Sequence, residues 1–300
     1  MTVQALQEGD LPALYRAANA TSLAEQNRLL LATKVRLGSL LAAAACGVFV
    51  GLSDPPDWVA LVGVIAFLVA VGAELLLLFL RPERGWYEGR AASESVKTLA
   101  WRYAVCGQPF GKSEKDVDAR FLARLREILT NLHDVSLQPG PEGGEQLPKV
   151  MRELRSEPLE ERRNAYRIGR LEDQRDWYAH KSNWNDERAR RFRILAVVLE
   201  MLGVVAGIMT VLGVVKVDVL GVIAAAIAGV AAWMQTKQYE TLARAYSVAN
   251  EELAALRSEW RVDRTEEEWA RFVDEAEEAI SREHTLWRAS RGVAASWERK

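Results

Sequence analysis

Four long apolar runs constrain this chain most, because runs of this length can cross a lipid bilayer. They form two pairs: Val35–Leu52 with Trp58–Leu80, and Ile194–Val215 with Val219–Met234. Runs of 18 to 23 residues rise roughly 27 to 35 Å as helices, against a hydrocarbon core of about 30 Å. The fourth run is shorter, so we extend it to 217–235. The pattern predicts two transmembrane hairpins rather than buried core helices, because four such runs are difficult to bury within 300 residues.

A repeated motif follows each pair of apolar runs. Tyr87-Glu88, Ala91 and Ser95-Val96 follow the first pair, and the same residue types recur at a constant offset of 152 residues after the second. This repeat predicts a duplicated two-span unit. We therefore expect two tandem units, 1–133 and 158–300, joined by a linker over 134–157 that contains Gln-Pro-Gly-Pro-Glu-Gly-Gly.

The basic residues predict how the hairpins are oriented. The hairpin turns contain only Lys216, whereas twelve Lys and Arg residues flank the opposite ends of the runs. Because cytoplasmic loops carry the excess of Lys and Arg, both termini and the central segment are expected in the cytoplasm. The predicted fold is an all-α membrane protein with four transmembrane helices, long cytoplasmic helices and no sheet.

Small residues recur every fourth position on three of the predicted spans, and such stripes let helix backbones approach closely. They are candidate packing points, either within one chain or between protomers, although Ala and Gly are also simply common in membrane helices. The candidates are Ser39, Ala43, Gly47, Gly51, Gly203, Gly207, Gly221, Ala225 and Gly229.

Two carboxylates lie inside the predicted spans. Glu74 is seven residues before Arg81, and Glu200 is seven residues after Arg193, so both are expected about 10 Å inside the same boundary. Ionisable groups at this depth are functional candidates, and a carboxylate ring favours cations in a pore. The alternative is that they reach the interface or pair with Arg81, Arg193 or nearby backbone.

A narrow apolar seam follows the fourth span, with 3-4 spacing maintained for three heptads. We expect it to pack in a helical bundle, either within the chain or between subunits. The seam residues are Tyr239, Leu242, Tyr246, Leu253, Leu256 and Trp260.

Composition and motifs argue against several functional classes. A formal net charge of −2 does not suggest nucleic-acid binding, which needs a concentrated basic surface. No phosphate-binding Gly-rich loop, catalytic triad or metal-ligand spacing is present. The Glu-rich stretches, including Glu275, Glu277 and Glu278, are interpreted as solvated helix faces. We therefore expect neither an enzyme nor a cofactor.

The duplicated hairpins, the basic flanks and the Tyr-Glu…Ala…Ser-Val helix that follows each hairpin resemble the SLATT family, the two-transmembrane effector domains associated with SMODS nucleotidyltransferases and SLOG sensors. The similarity is greater over 167–291, where Trp177–Arg193 leads into the third span and Gln238–Val248 follows the fourth. A second, diverged copy covers 11–132. The resemblance implies a membrane effector of bacterial conflict systems, activated by a nucleotide signal or a neighbouring sensor.

The leading hypothesis is an oligomeric effector of antiphage defence in the bacterial inner membrane, which forms a pore or permeabilises the bilayer when triggered. Its expected partners are the bilayer, further copies of the chain, and a nucleotide second messenger or sensor protein. The alternative is a non-conducting membrane scaffold, whose helical bundle recruits a cytoplasmic partner.

Overall fold

The computed structural model describes residues 5–49, 57–132, 137, 144–215 and 217–290, the last nine of these in backbone only. Over these ranges the chain is helical and forms no strand, which confirms the predicted all-α fold. A 3-10 turn, Glu8–Asp10, precedes the first helix, and a π-helical segment, Arg167–Glu172, lies between the sixth and seventh. The helices are α1 (Ala13–Gly47), α2 (Trp58–Leu80), α3 (Pro82–Ala104), α4 (Val117–Thr130), α5 (Lys149–Ser156), α6 (Leu159–Tyr166), α7 (Asp173–Val211), α8 (Val219–Lys237), α9 (Tyr239–Ser258) and α10 (Glu266–Ser290).

Four helical stretches are long and apolar enough to cross a membrane, and each overlaps one of the four predicted runs. The second predicted span coincides with α2. The helices that carry the first and third predicted spans, α1 and α7, end earlier than predicted, at Gly47 and Val211, because the chain turns there. The turn residues 50–56 and Lys216 lie outside the described residues.

The second helix of each hairpin begins and ends in the same way. Asp57 caps α2 by accepting hydrogen bonds from the backbone N–H groups of Val59 and Ala60, and Asp218 caps α8 by accepting one from Gly221. These carboxylates satisfy N–H groups that a helix start leaves without partners. Each helix ends at a residue in the left-handed conformation, Arg81 (φ 42°) or Gln238 (φ 50°). Both hairpins therefore end in the same backbone conformation, although Arg81 and Gln238 are not at equivalent positions of the repeat.

The chain divides into two compact units, and each draws on both halves of the sequence. We call residues 26–82 and 183–243 the hairpin unit, and the described residues of 1–25, 83–182 and 244–300 the bundle unit. The tandem repeats in sequence are thus not the compact units in space. The segment predicted as a linker contains α5, and the division into 1–133 and 158–300 stays a prediction.

The bundle unit has a large aromatic core. Its fully buried side chains include Trp101, Tyr166, Tyr178, Phe121 and Trp269. The face of α10 that carries Trp269, Phe272, Val273, Ala276 and Ile280 packs into this core. Burial of such large apolar surfaces is the main contribution to the stability of a helical bundle.

Candidate functional site

The hairpin unit contains both carboxylates singled out in the sequence, and they differ in whether they have an ion-pair partner. Glu74 on α2 forms an ion pair with Arg36 on α1. The Arg36 side chain is 28% exposed and that of Glu74 is 56% exposed. The partner is thus neither Arg81 nor Arg193, which the sequence offered as alternatives. Arg36 is one of the twelve basic residues that flank the runs. It is also the second residue of the first predicted span and is thus positioned to reach Glu74.

Glu200 on α7 is exposed and has no ion-pair or hydrogen-bond partner among the described residues. The nearest cation along the helix, Arg193, pairs instead with Glu240. Met201, Leu202 and Val204, close to Glu200 in the chain, are apolar and more than half exposed. Glu200 is therefore a single carboxylate on an apolar surface of the hairpin unit.

Some of the predicted small residues mark close helix contacts within the hairpin unit. A Cβ placed on Gly203 would lie 3.4 Å from Cγ2 of Ile223 on α8, and one on Gly207 would lie 3.8 Å from Leu220. Ala43 on α1 is buried. In the first hairpin, a Cβ on Gly63 would lie 3.3 Å from that of Cys46, a contact that the sequence reasoning missed because Gly63 has no small residue four positions away.

Other candidate packing residues have open space beside them or a local role. A Cβ on Gly47 or Gly229 would meet no atom within 4 Å. Gly221 sits against the Asp218 carboxylate that caps its own helix. Ser39 and Ala225 are half-buried, and Gly51 lies outside the described residues. Whether any of them packs between protomers stays a prediction.

The predicted assembly seam on α9 contacts other parts of the same chain. Leu253 is buried in the core of the bundle unit, and Leu256 and Trp260 pack against that core. Tyr246 meets Trp177 edge-on, with ring centroids 5.2 Å apart. In the hairpin unit, Tyr239 stacks on Phe192 with an interplanar angle of 12°, and Leu242 is half-buried.

A buried ion pair in the bundle unit was missed by the sequence analysis. Arg170, in the π-helical segment, binds Glu277 on α10 in a two-pronged geometry, with N–O distances of 2.8 and 2.7 Å. The hydroxyl of Tyr166 donates to the same carboxylate at 3.0 Å. Burial, and then the charge of Glu277, raise the pKa of Tyr166 well above its ordinary value. The interpretation of Glu277 as a solvated residue is therefore wrong, because it lies beside Ala276 on the buried face of α10 and is fully buried.

No set of three or more His, Cys, Asp or Glu side chains is arranged to hold a metal ion within the described ranges. The chemically distinctive groups are thus ion pairs, the unpaired Glu200 and the clusters of aromatic and basic side chains.

Comparison with known families divides the chain into two matched segments. Residues 12–163 match the family model of SMODS and SLOG-associating 2TM effector domain 3. Residues 166–287 match that of SMODS and SLOG-associating 2TM effector domain 1. No curated protein and no solved structure matches the chain.

Proposed function

The chain belongs to the SLATT family of two-transmembrane effector domains, of which it carries two in tandem, and on this basis we propose that it permeabilises a bacterial inner membrane as an oligomeric effector of antiphage defence. The proposed action is physical opening of the bilayer rather than catalysis. Four candidate spans and two effector domains of conflict systems support a site of action in the membrane.

The observation that carries the pore proposal is the unpaired Glu200. Charged side chains within membrane spans nearly always face a bundle interior or a water-filled cavity. Among the described residues, the side chain of Glu200 contacts no cation or hydrogen-bond donor. An oligomer that places several copies of Glu200 around a shared aqueous path would hydrate the carboxylates and favour cations.

The basic flanks support an orientation with both termini in the cytoplasm. The twelve flanking Lys and Arg residues lie at the ends of the apolar runs opposite the hairpin turns. In this orientation the bundle unit is cytoplasmic, where a nucleotide signal or a sensor protein has access to it. The helices α1, α7 and α9 contribute residues to both units, so they are the proposed route by which a trigger acts on the spans.

A scaffold without conduction is favoured by a different observation. Glu74 is paired with Arg36, so one of the two intramembrane carboxylates needs no aqueous path. In this alternative the bundle unit recruits a partner, and the spans serve only as an anchor.

Ion flux separates the two functions. The full chain is reconstituted in liposomes at increasing protein-to-lipid ratio, with and without cyclic dinucleotides, and potassium and chloride fluxes are recorded. A pore predicts flux whose preference for potassium falls several-fold in Glu200→Gln. Glu74→Gln is the matched control, in which the preference changes less because Arg36 already balances that charge. Absence of flux under every condition, with no depolarisation of expressing cells, would leave the scaffold as the function.

A further inference from the structure

Two lysines from different repeats meet at one indole in the hairpin unit. The ammonium of Lys34 on α1 lies 5.6 Å from the ring centroid of Trp233 on α8, and that of Lys237 lies 6.0 Å from the same ring. Lys237 is also 6.0 Å from the ring of Tyr239. We call Lys34, Trp233, Lys237 and Tyr239 the lysine–indole cluster.

The lysine–indole cluster carries positive charge, and no carboxylate among the described residues balances the charge of Lys34. The two ammonium groups are at most about 12 Å apart, since each lies within 6.0 Å of one centroid. Lys34 is exposed and has no carboxylate partner among the described residues. Nearby arginines differ, because Arg36 pairs with Glu74 and Arg193 with Glu240. An anion beside Lys34 would balance its charge.

The position of the cluster along the helices indicates that such an anion belongs to a lipid headgroup. Lys34 immediately precedes the first apolar run, and Trp233 and Lys237 lie in the last turns of α8. Trp, Tyr and Lys at such places lie at the level of lipid headgroups. Leu31 and Val35, on either side of Lys34 in the chain, are exposed apolar side chains beside which an acyl chain can lie.

We propose that the lysine–indole cluster binds the phosphate of an anionic phospholipid headgroup, with Lys34 and Lys237 as the cationic contacts and Trp233 as their common support. Basic pockets between transmembrane helices recognise anionic headgroups in this way. The first repeat lacks the cluster, because the counterparts of Trp233 and Lys237 at the offset of 152 are Arg81 and Gly85. One such site per chain is therefore expected. The proposal requires only that the spans lie in a bilayer, and it is independent of whether the protein conducts ions.

The test measures binding of phosphatidylglycerol to the detergent-solubilised full chain by native mass spectrometry. The wild type is expected to retain one phosphatidylglycerol in preference to phosphatidylcholine. Each basic residue near anionic lipid contributes about fivefold in affinity, so Lys34→Gln/Lys237→Gln should bind about thirty-fold more weakly. The control is Arg81→Gln/Arg190→Gln, which removes two exposed arginines outside the cluster, and it should lose much less binding than the lysine variant if the lysines hold the lipid.

Three outcomes would overturn the proposal. Equal losses in the two double variants would mean that general surface charge attracts the lipid. Unchanged binding in the lysine variant would place the lipid elsewhere. Displacement of the lipid by millimolar inorganic phosphate would mean that the cluster binds a free anion. Far-ultraviolet circular dichroism and the elution volume check that each variant is folded, and Trp233→Phe, which keeps an aromatic ring, should retain more binding than Trp233→Leu.

Discussion

The two hairpins share a two-span plan, but each carries its carboxylate on a different helix, Glu74 on the second helix of the first hairpin and Glu200 on the first helix of the second. In the first, Glu74 is neutralised by Arg36 of the neighbouring helix. In the second, Glu200 has no such partner among the described residues, and the cations around it serve other groups. The first hairpin thus satisfies its charge within the chain, whereas the second leaves a charge for water, lipid or another protomer.

The repeated motifs show the same divergence outside the spans. Val96, in the first motif, is fully buried in the core of the bundle unit, whereas its counterpart Val248 is 57% exposed. The hydroxyl of Tyr87 donates to Glu83, whereas Tyr239 stacks on Phe192. Identical residues in the two copies therefore do not have identical roles.

The largest expected effect contrasts the two valines. Val96→Asp places a charge in an apolar core and should lower the free energy of unfolding by about 4 kcal/mol or more. Val248→Asp, at the equivalent exposed position, should change it by less than about 0.5 kcal/mol. Chemical denaturation followed by circular dichroism measures both. Similar losses in the two variants would show that Val248 is covered, for instance by another protomer.

A smaller effect is expected from unpairing Glu74. Arg36→Gln leaves the carboxylate without its cation and should lower the free energy of unfolding by about 2 kcal/mol. Arg36→Gln/Glu74→Gln removes both charges and should recover most of that loss. The comparison with the second hairpin is Glu200→Gln, which should not destabilise the protein because it breaks no pair. Thermal unfolding in bicelles provides the readout, and failure of the double variant to recover would contradict an energetic role for the pair.

The smallest effect concerns helix packing in the second hairpin. Gly203→Leu forces a large side chain against Ile223 and should cost about 1 to 2 kcal/mol of unfolding free energy. Gly229→Leu fills open space and should be nearly neutral in the monomer. If Gly229→Leu instead disrupts the oligomer seen by light scattering, that glycine packs between protomers. Equal destabilisation of the monomer by both variants would contradict the observed difference in space.

Much of the fold was predictable because the signals are local. A long apolar run indicates a membrane span whatever surrounds it, and the four residues from Thr265 to Glu268 have the pattern of a capping box, of which both hydrogen bonds are present. The pairing of Glu74 with Arg36 was less predictable from the sequence, since several arginines flank the ends of the predicted spans. Glu277 was misjudged because it lies in a glutamate-rich stretch with Glu275 and Glu278, whereas its burial depends on Arg170 and Tyr166, 107 and 111 residues away.

Composition and order along the chain are enough to establish the four candidate spans, the duplication and the family. The folded chain adds that the compact units combine both repeats, that Arg36 is the partner of Glu74, and that two lysines about two hundred residues apart share one indole. The two levels differ because apolar runs report the solvent of each helix, whereas pairing depends on which helix faces meet. The periodicity of apolar residues alone does not specify which helix faces pack together.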